Sequence, residues 1–271
     1  MRVGYLGPPG TFSEEAVARL ALATEGVPFP TFADAHAALR RGEVDAALLP
    51  LENSIEGSVG ATLDLLVQEP GPLIRRELTL PVDQHLLALP GTRLEDVQRV
   101  LSHPQPLGQC ARFLRERLPR ASLEPTLSTA DAARKVAEGG PGLAAIGARA
   151  GTRYGLALLA ERIQDVPDNV TRFVLLAQAD EAPTGADRTS IAFTLDRDRP
   201  GGLYEVMGEF AARGLNLSRL ESRPMKQALG HYVFFLDFEG HRLDATGAAA
   251  LEGVRKRVHR LVLLGSYPRA V

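Results

Sequence analysis

Short apolar stretches alternate with stretches of helical periodicity through the first two thirds of the chain. We predict, in order, the strand RVGYLG, the helix SEEAVARLALA, the strand DAALLP, the helix VGATLDLLVQ, the strand RVLSH, the helix PLGQCARFLRERL and the strand LAAIGA. Strands and helices that alternate in this way form a sheet covered by helices. The pattern therefore predicts an α/β protein.

Two apolar stretches in the middle of this series have no helix between them. They read LIRRELTL and QHLLALP. Consecutive strands without a helix are expected where the chain crosses from one lobe to another. We predict two α/β lobes, with crossings near residues 73–90 and 156–165.

The composition changes at ADEAPTGADRTS, residues 179–190, which is rich in Ala, Asp, Pro and Gly. A new pattern follows this stretch. It predicts the strand TSIAFTLD, the helix GLYEVMGEFAARG, the strands LNLSRLESRP and HYVFFLDFEG, the helix ATGAAALEGVRKRV and the strand RLVLLGSYP. We therefore expect a first domain over residues 1–178 and a second domain, βαββαβ, over residues 188–271.

Composition and charge narrow the classes of function. The 271 residues are 45% hydrophobic, and the 31 basic residues are scattered among 33 acidic ones, for a net charge of -2. A clustered basic face, typical of nucleic-acid binding, is missing from the sequence. We see neither a signal peptide nor an apolar run of about 20 residues, and the single Cys110 leaves no internal disulfide. We expect a cytoplasmic protein that binds a small molecule. The sequence Asn169-Val170-Thr171 has the form of a glycosylation site, but a cytoplasmic protein would not be glycosylated there.

Polar side chains follow several of the predicted strands. Thr11, Asn53, Ser102 and Ser128 all stand at turns between a strand and a helix. In open α/β sheets ligands bind beyond the carboxyl ends of the strands, so these side chains could line one cleft. Ordinary N-capping is the alternative for Ser and Thr, whereas capping alone does not explain Asn53 or Gln109.

Several stretches resemble, in order and spacing, the motifs of the prephenate dehydratase family. They are GPPGTFS (7–13), LENSIEGSV (51–59), SHPQPLGQC (102–110), STADAA (128–133) and DNVTRF (168–173). PGGLYEVMGEF and GLNLSRLESRP resemble the ACT regulatory domain that this family carries after its catalytic part. The resemblance covers nearly the whole chain, and we expect no chorismate mutase domain ahead of the first strand.

The resemblance implies decarboxylating dehydration of prephenate to phenylpyruvate, and it implies a role for particular residues. Thr171 would donate a hydrogen bond to the departing hydroxyl and would relay a proton from water or from a carboxylate such as Glu52. The implied catalytic residues are Thr171, Glu52, Asn53 and Gln109. The implied substrate-binding residues are Thr11, Phe12, Ser54, Ser102, Ser128, Thr129, Arg172 and Phe173.

The second domain implies feedback by the end product. In the family an amino-acid site lies between paired ACT domains. The resemblance therefore implies that the chain self-associates, as a dimer or a tetramer. L-phenylalanine would bind there at Gly201, Gly202, Leu203, Asn216, Leu217, Glu221 and Ser222. Coupling between the two sites requires two states of the enzyme that bind L-phenylalanine differently.

Other interpretations stay open at this point. Arogenate is an alternative substrate, and a non-catalytic amino-acid sensor with the two-lobed plan of type-II periplasmic binding proteins would share most of these features. We expect neither a metal nor a cofactor, because His36 and His85 lack neighbouring ligands and neither GPPG nor GGPG fits a phosphate loop. Cys110 is expected to be a buried apolar residue, and His103 to cap or pack at a helix start, with general-acid catalysis as its alternative.

Overall fold

A computed structural model describes residues 1–20, 23–195, 200–225 and 232–270. The chain divides into two compact units. The first comprises Met1–Val59 and Thr79–Phe173, and the second comprises Gly60–Leu78 and Val174–Val271.

Helices and strands alternate through most of the described chain. The α-helices are α1 (Phe12–Ala18), α2 (Phe32–Arg40), α3 (Gly60–Gln68), α4 (Pro104–Gln109), α5 (Ala111–Arg117), α6 (Thr129–Gly139), α7 (Gly202–Ala211) and α8 (Ala245–Arg255). The strands are β1 (Arg2–Leu6), β2 (Glu25–Phe29), β3 (Ala46–Asn53), β4 (Gly57–Ser58), β5 (Leu73–Pro81), β6 (His85–Ala88), β7 (Arg99–Ser102), β8 (Ser122–Pro125), β9 (Leu143–Gly147), β10 (Ala157–Ala160), β11 (Val170–Ala177), β12 (Asp187–Thr194), β13 (Leu217–Pro224), β14 (Tyr232–Glu239) and β15 (Arg260–Pro268). Short 3-10 helices span Leu94–Asp96 and Arg149–Tyr154.

The first unit contains two lobes, each built on its own sheet. The first sheet has the order β2-β1-β3-β11-β5, with β4 paired to β3, and the second has the order β10-β6-β9-β7-β8. The chain leaves the first sheet after β5, enters the second at β6 and returns from β10 to β11. This path confirms the predicted α/β class and the two lobes joined by crossing segments.

The second lobe shows why its strands read as continuous apolar runs. Leu86 and Val100 pack in a core on one face of the sheet, whereas their neighbours Leu87 and Leu101 pack in a core on the other face. A sheet covered on both faces buries every residue of its central strands, so β9 is buried along its whole length.

The structure differs from the predicted elements at several positions. PLGQCARFLRERL forms α4 and α5 rather than one helix, because Cys110 adopts φ -112° and ψ 19°. We did not predict β2, α2 or β8. The strands β2 and β8 are short and largely exposed, which weakens their apolar pattern. Residues 21–22, within the predicted first helix, lie outside the described residues.

The second unit contains the predicted βαββαβ module. Its sheet is antiparallel with the order β13-β14-β12-β15, and α7 and α8 share with it a core that includes Phe193, Phe210 and Phe238. Predicted strand ends at Asp196 and His231 lie outside the described residues.

The second unit also contains α3, the first part of β5 and the last part of β11, so the first sheet is shared between the two units. The Glu77 carboxylate pairs with the Arg188 guanidinium at 2.7 Å, and Arg260 donates to the carbonyl of Val67 at 3.2 Å. The compact units therefore do not follow the linear boundary that we expected after residue 178, because residues 60–78 pack with the C-terminal strands.

Candidate active site

Asn53, the last residue of β3, has an amide group whose orientation is fixed by the backbone. Its Oδ1 atom accepts hydrogen bonds from the backbone N–H groups of Ile55 and Glu56, each at 3.0 Å. A backbone N–H group can only donate, so the atom that faces both groups must be the amide oxygen. The Nδ2 atom of Asn53 therefore points the other way.

This amide nitrogen reaches the entrance of β11. Asn53 Nδ2 donates to Asn169 Oδ1 at 2.7 Å and to Thr171 Oγ1 at 2.9 Å. Thr171 is 9% exposed and Asn169 is 3% exposed. Because Thr171 Oγ1 accepts from Asn53, its own hydrogen must point elsewhere, and in the described part of the chain that hydrogen has no acceptor. Thr171 is thus held as a hydrogen-bond donor.

The pleat of β11 separates neighbouring side chains. Thr171 and Phe173 lie on one face of the strand, and Arg172 lies on the other. The Arg172 guanidinium approaches the Glu52 carboxylate at 3.9 Å, while the next residue of β3, Asn53, bonds to Thr171. A proton passed from Glu52 to Thr171 would have to cross the sheet, so this geometry does not support the relay that we considered.

Ser54 holds the start of β11 in register. Its Oγ atom accepts from the backbone N–H of Val170 at 3.0 Å, and its own N–H donates to the carbonyl of Val170 at 2.9 Å. Just before this point Asp168 adopts a left-handed φ of 63°, a conformation that Asp tolerates better than most residues. Ser54 therefore positions the strand that carries Thr171.

Gln109, at the end of α4, bridges the two lobes of the first unit. Its Nε2 atom donates to Glu56 Oε1 at 3.4 Å, and its Oε1 atom accepts from Gln84 Nε2 at 3.4 Å. The Glu56 carboxylate can only accept when ionised, which fixes the orientation of the Gln109 amide. A cavity of about 560 Å³ is lined by Ile55, Glu56, Pro104, Gln105, Gly108, Gln109, Gln164, Asp165 and Val166.

The crossing segments add polar residues that the sequence analysis missed. The backbone N–H of Gln84 donates to Gln164 Oε1 at 3.0 Å. The Oε1 atom of Gln84 is buried and has no donor among the described residues. Gln84 is the first residue of the predicted apolar stretch QHLLALP, and a polar residue at a crossing point was the available sign of a site. Asn169 was visible within the motif DNVTRF, directly before the apolar residues FVLL.

Thr11 caps α1 and belongs to a tightly bonded loop. Its Oγ1 atom accepts from the backbone N–H of Glu14 at 3.4 Å and donates to the carbonyl of Leu6 at 3.2 Å. Glu14 accepts from the backbone N–H of Gly10 at 2.7 Å and pairs with Arg153. Burial, together with the Glu14 carboxylate, raises the pKa of Tyr5 to about 12.

The loop before α1 meets the N-terminus of α6. A Cβ atom added at Gly10 would lie 3.5 Å from Ala130 Cβ, and Tyr154 donates to the carbonyl of Pro9 at 2.6 Å. Ser128 caps α6 by accepting from the backbone N–H of Asp131 at 3.0 Å. The structure therefore brings the loop that leads to Thr11 and Phe12 close to the helix start formed by Ser128 and Thr129.

Ser102 is placed differently from the other expected substrate contacts. Its side chain is fully buried, and its Oγ atom donates to the carbonyl of Ile146 at 2.7 Å. This bond joins β7 to β9. The expected contact between Ser102 and a substrate stays a prediction.

The remaining titratable candidates are engaged in packing and capping. Burial, and to a smaller extent the Asp165 carboxylate, raises the pKa of the Cys110 thiol to about 12. His103 caps α4 by accepting from the backbone N–H of Gln105 at 3.3 Å, and burial lowers the pKa of His85. Within residues 1–20, 23–195, 200–225 and 232–270, His, Cys, Asp and Glu side chains form no group that could hold a metal ion. The described helices are also too short or too polar to cross a membrane.

The expected effector residues fall at two ends of the βαββαβ module. Gly201 adopts φ 85° at the start of α7, and Ser222 pairs through Phe234 with Phe193 at that same end. Leu217 pairs through Phe238 with Thr189, at the opposite end. Since α7 has ten residues, its ends are about 15 Å apart. Within one chain, one amino-acid molecule cannot contact both ends.

The pleat of β13 also divides the expected effector residues. A β-bulge between Leu217 and Arg219 puts Leu217 and Ser222, which pair with Phe238 and Phe234, on the face that carries α7 and α8, whereas Glu221 pairs with Phe235 on the opposite face. The Glu221 carboxylate accepts from the Arg219 guanidinium at 2.6 Å. Gly201 is exposed, Gly202 is buried and Leu203 is partly exposed.

Comparison with known proteins places this geometry in a family. The protein-family model described as prephenate dehydratase matches residues 3–181, and the family model described as ACT domain matches residues 189–256. A prephenate dehydratase from Amycolatopsis methanolica is 43% identical over 275 residues, which cover 99% of this chain and 89% of the relative.

Solved structures give the same result. A prephenate dehydratase from Arthrobacter aurescens, in complex with L-Phe, is 41% identical with a TM-score of 0.91, covering 99% of this chain and 90% of that one. GqqA, described as a novel type of quorum-quenching acylase, is 29% identical with a TM-score of 0.89, covering 99% of this chain and 98% of that one. By the matched models and the identity to its relatives, this chain belongs to the prephenate dehydratase family and carries an ACT domain.

Proposed function

We propose that this protein catalyses the decarboxylating dehydration of prephenate to phenylpyruvate. The observation that supports this best is the amide network that leaves the Thr171 hydroxyl as a donor. The reaction needs such a donor at the hydroxyl that departs. Membership of the family supports prephenate as the substrate, and the amide network supports a hydrogen-bond donor at the departing hydroxyl.

The chemical step requires one proton and no redox partner. The bond between the ring and its carboxylate breaks, carbon dioxide leaves, and the electron pair enters the ring. The opposite carbon–oxygen bond breaks, and the departing hydroxide takes a proton and becomes water. Thr171 donates its hydrogen to this oxygen and regains one from solvent. Threonine is a weak acid, so it stabilises the departing oxygen chiefly as an oriented hydrogen-bond donor.

The other site residues have supporting roles in this proposal. Asn53 sets the direction of the Thr171 hydroxyl, and Gln109 presents its amide to the substrate beside the cavity. Phe173 is buried and lies on the same face of β11 as Thr171. Glu52 neutralises Arg172 on the far face, which keeps the strand in place rather than supplying the proton.

The loop before α1 and the start of α6 suit a carboxylate of the substrate. Free N–H groups at a helix N-terminus favour anions. We assign Thr11, Phe12, Ser128 and Thr129 to this part of the site, because the loop before α1 adjoins the start of α6.

Two other activities are less well supported. An acylase needs an activated nucleophile, yet Asn53 donates to Thr171 and so does not act as a base, and the Cys110 thiol is buried with a pKa of about 12. A non-catalytic sensor would need donors for carboxylates but would not need a hydroxyl hydrogen held free at a leaving group.

We further propose feedback inhibition by L-phenylalanine at a site shared between two copies of the chain. The separation of Gly201 and Leu217 to opposite ends of α7 supports a shared site, because each copy supplies one end. The relative with bound L-Phe supports the identity of the effector. We place this enzyme of amino-acid biosynthesis in the cytoplasm, as a dimer or a larger assembly.

The test is an assay of the full chain with prephenate after exhaustive chelation. We expect phenylpyruvate to form without added metal or nucleotide, and we expect arogenate to be turned over more slowly. Binding of prephenate without any product would overturn the dehydratase proposal in favour of the sensor. Faster turnover of arogenate would change the substrate but leave the mechanism.

A further inference from the structure

Asn169 completes the amide network from a position in the motif DNVTRF to which no role was assigned from the sequence. It is nearly fully buried, directly before β11, and its side-chain oxygen accepts the shorter of the two hydrogen bonds that Asn53 Nδ2 donates to side chains. An Nδ2 atom carries two hydrogens. One goes to Asn169 and the other to Thr171, while the Val170 carbonyl at 3.4 Å is a longer third contact, so both hydrogens have short hydrogen bonds only when Asn169 presents an acceptor.

The orientation of every group in this network follows from one fixed point. The backbone N–H groups of Ile55 and Glu56 set the Asn53 oxygen, which sets the Asn53 nitrogen. That nitrogen requires an acceptor on Asn169 and an acceptor on Thr171. We infer that Asn169 is a positioning residue of the dehydratase reaction, because it holds the nitrogen end of the Asn53 amide, whose oxygen end the backbone holds, and so keeps that amide donating to Thr171, whose own hydrogen is then left for the substrate.

Removing the Asn169 oxygen has a defined consequence. One hydrogen of the half-buried Asn53 amide is then left with only the distant Val170 carbonyl, at 3.4 Å from Nδ2, and the amide gains freedom to twist away from Thr171. Once that constraint is relaxed, the Thr171 hydroxyl can turn its hydrogen inward toward another acceptor. The loss acts on the departure of the hydroxyl rather than on substrate binding. It should therefore appear in kcat more than in KM.

The inference rests on the proposed dehydratase activity and is tested in the full-length chain. Asn169→Leu has a similar volume but no acceptor, and we expect kcat for prephenate to fall by about 10- to 100-fold with KM changed by less than about threefold. Asn169→Asp keeps the acceptor oxygens, so we expect it to keep kcat at least about fivefold above the Leu variant at neutral pH.

The Asp variant adds a charge near a dianionic substrate, so it needs a matched control. Asp168 is exposed and adjacent. The double variant Asp168→Asn/Asn169→Asp keeps the net charge of the segment while it still presents the acceptor. We expect the double variant to have a lower KM than the single Asp variant and the same kcat.

Each result decides between the alternatives. A folded Leu variant with kcat within twofold of the unchanged protein overturns the inference, and so does an equal loss of kcat in the Leu and double variants. Should the Leu variant fail to fold, Asn169→Ala takes its place under the same criteria. Absence of turnover in the unchanged protein would instead overturn the proposed activity.

Discussion

Backbone N–H groups two and three residues beyond Asn53 decide which way a hydroxyl hydrogen points. Ile55 and Glu56 fix the Asn53 oxygen, and Thr171 is left as a donor. This arrangement does not depend on a shifted pKa. The network therefore prepares Thr171 for catalysis by orientation, which costs no reorganisation when the substrate reacts.

The Thr171 hydroxyl can be removed with little change of shape. Thr171→Val keeps the branched side chain of β11 but deletes the donor, so we predict a fall in kcat of roughly 100-fold or more. Thr171→Ser keeps the hydroxyl and should retain more than a tenth of the kcat. Initial rates of phenylpyruvate formation measure both variants.

A melting curve separates chemical loss from loss of fold in these variants. Thr171 Oγ1 accepts from the half-buried amide of Asn53, so the Val variant should also lose about 1 kcal/mol of unfolding free energy. Near-normal turnover in a folded Val variant would remove Thr171 from the mechanism.

Residues with local sequence signs were predictable, whereas their long-range partners were not. Asn53 and Thr171 stand in recognisable motifs, but they are 118 positions apart, and nothing local to either one reveals their bond. Asn169 stands in the motif DNVTRF, but its bond to Asn53, like the bond between Gln84 and Gln164, joins distant positions and was missed for the same reason. The pleat that separates Glu52 from Thr171 likewise depends on how β3 and β11 pair.

At the scale of elements, β5 passes very close to β15 within the second unit. Gly265 lies on β15 with φ 142°. A Cβ atom added there would lie 2.7 Å from the backbone nitrogen of Ile74 and even closer to its carbonyl oxygen. Backbone atoms cannot move aside as a side chain can, so only glycine fits at this crossing.

Replacing Gly265 should therefore loosen the second unit. We predict that Gly265→Ala lowers the free energy of unfolding by about 3 kcal/mol or more, through the clash with Ile74 added to an unfavourable φ. Chemical denaturation followed by circular dichroism measures this change.

Gly185→Ala separates the two causes. Gly185 has φ 85°, but an added Cβ atom would meet nothing within 4 Å. This control should lose only about 1 kcal/mol, the cost of the backbone conformation alone. If both variants lose the same free energy of unfolding, the close approach of β5 to β15 does not restrict the size of the side chain at residue 265.

Elements with strong periodicity were predicted well. The strand RLVLLGSYP coincides with β15, and the helix after Ser128 coincides with α6. The break at Cys110 was not predictable, because Cys is neither a helix breaker nor a cap. Exposed edge strands such as β2 lack the apolar pattern that would identify them.

At the scale of the whole molecule, the order of the domains was predictable but their packing was not. The composition shift near residue 180 separates the regions that match the two family models. The compact second unit nevertheless takes residues 60–78 from the earlier region. A fragment that ends at residue 178 would leave α3 without the strands it packs against, so regulation is best tested in the full chain.

The two ends of α7 offer such a test. Suppose that L-phenylalanine binds where the Leu203 end of α7 in one copy meets the Asn216 end of α7 in another. A homodimer of the Leu203→Asp variant and a homodimer of the Asn216→Ala variant should then both fail to bind it. A mixed dimer of the two variants contains one site with both changes and one site with neither.

Calorimetry on the mixed dimer therefore distinguishes a shared site from a site within one chain. We predict that the mixed dimer, purified with two different affinity tags, binds one L-phenylalanine per dimer with the affinity of the unchanged protein. A site within a single chain would be damaged in both copies, and the mixed dimer would bind none. Because coupling between sites is reciprocal, the restored site should also weaken binding of a prephenate analogue by the same factor that the analogue weakens L-phenylalanine.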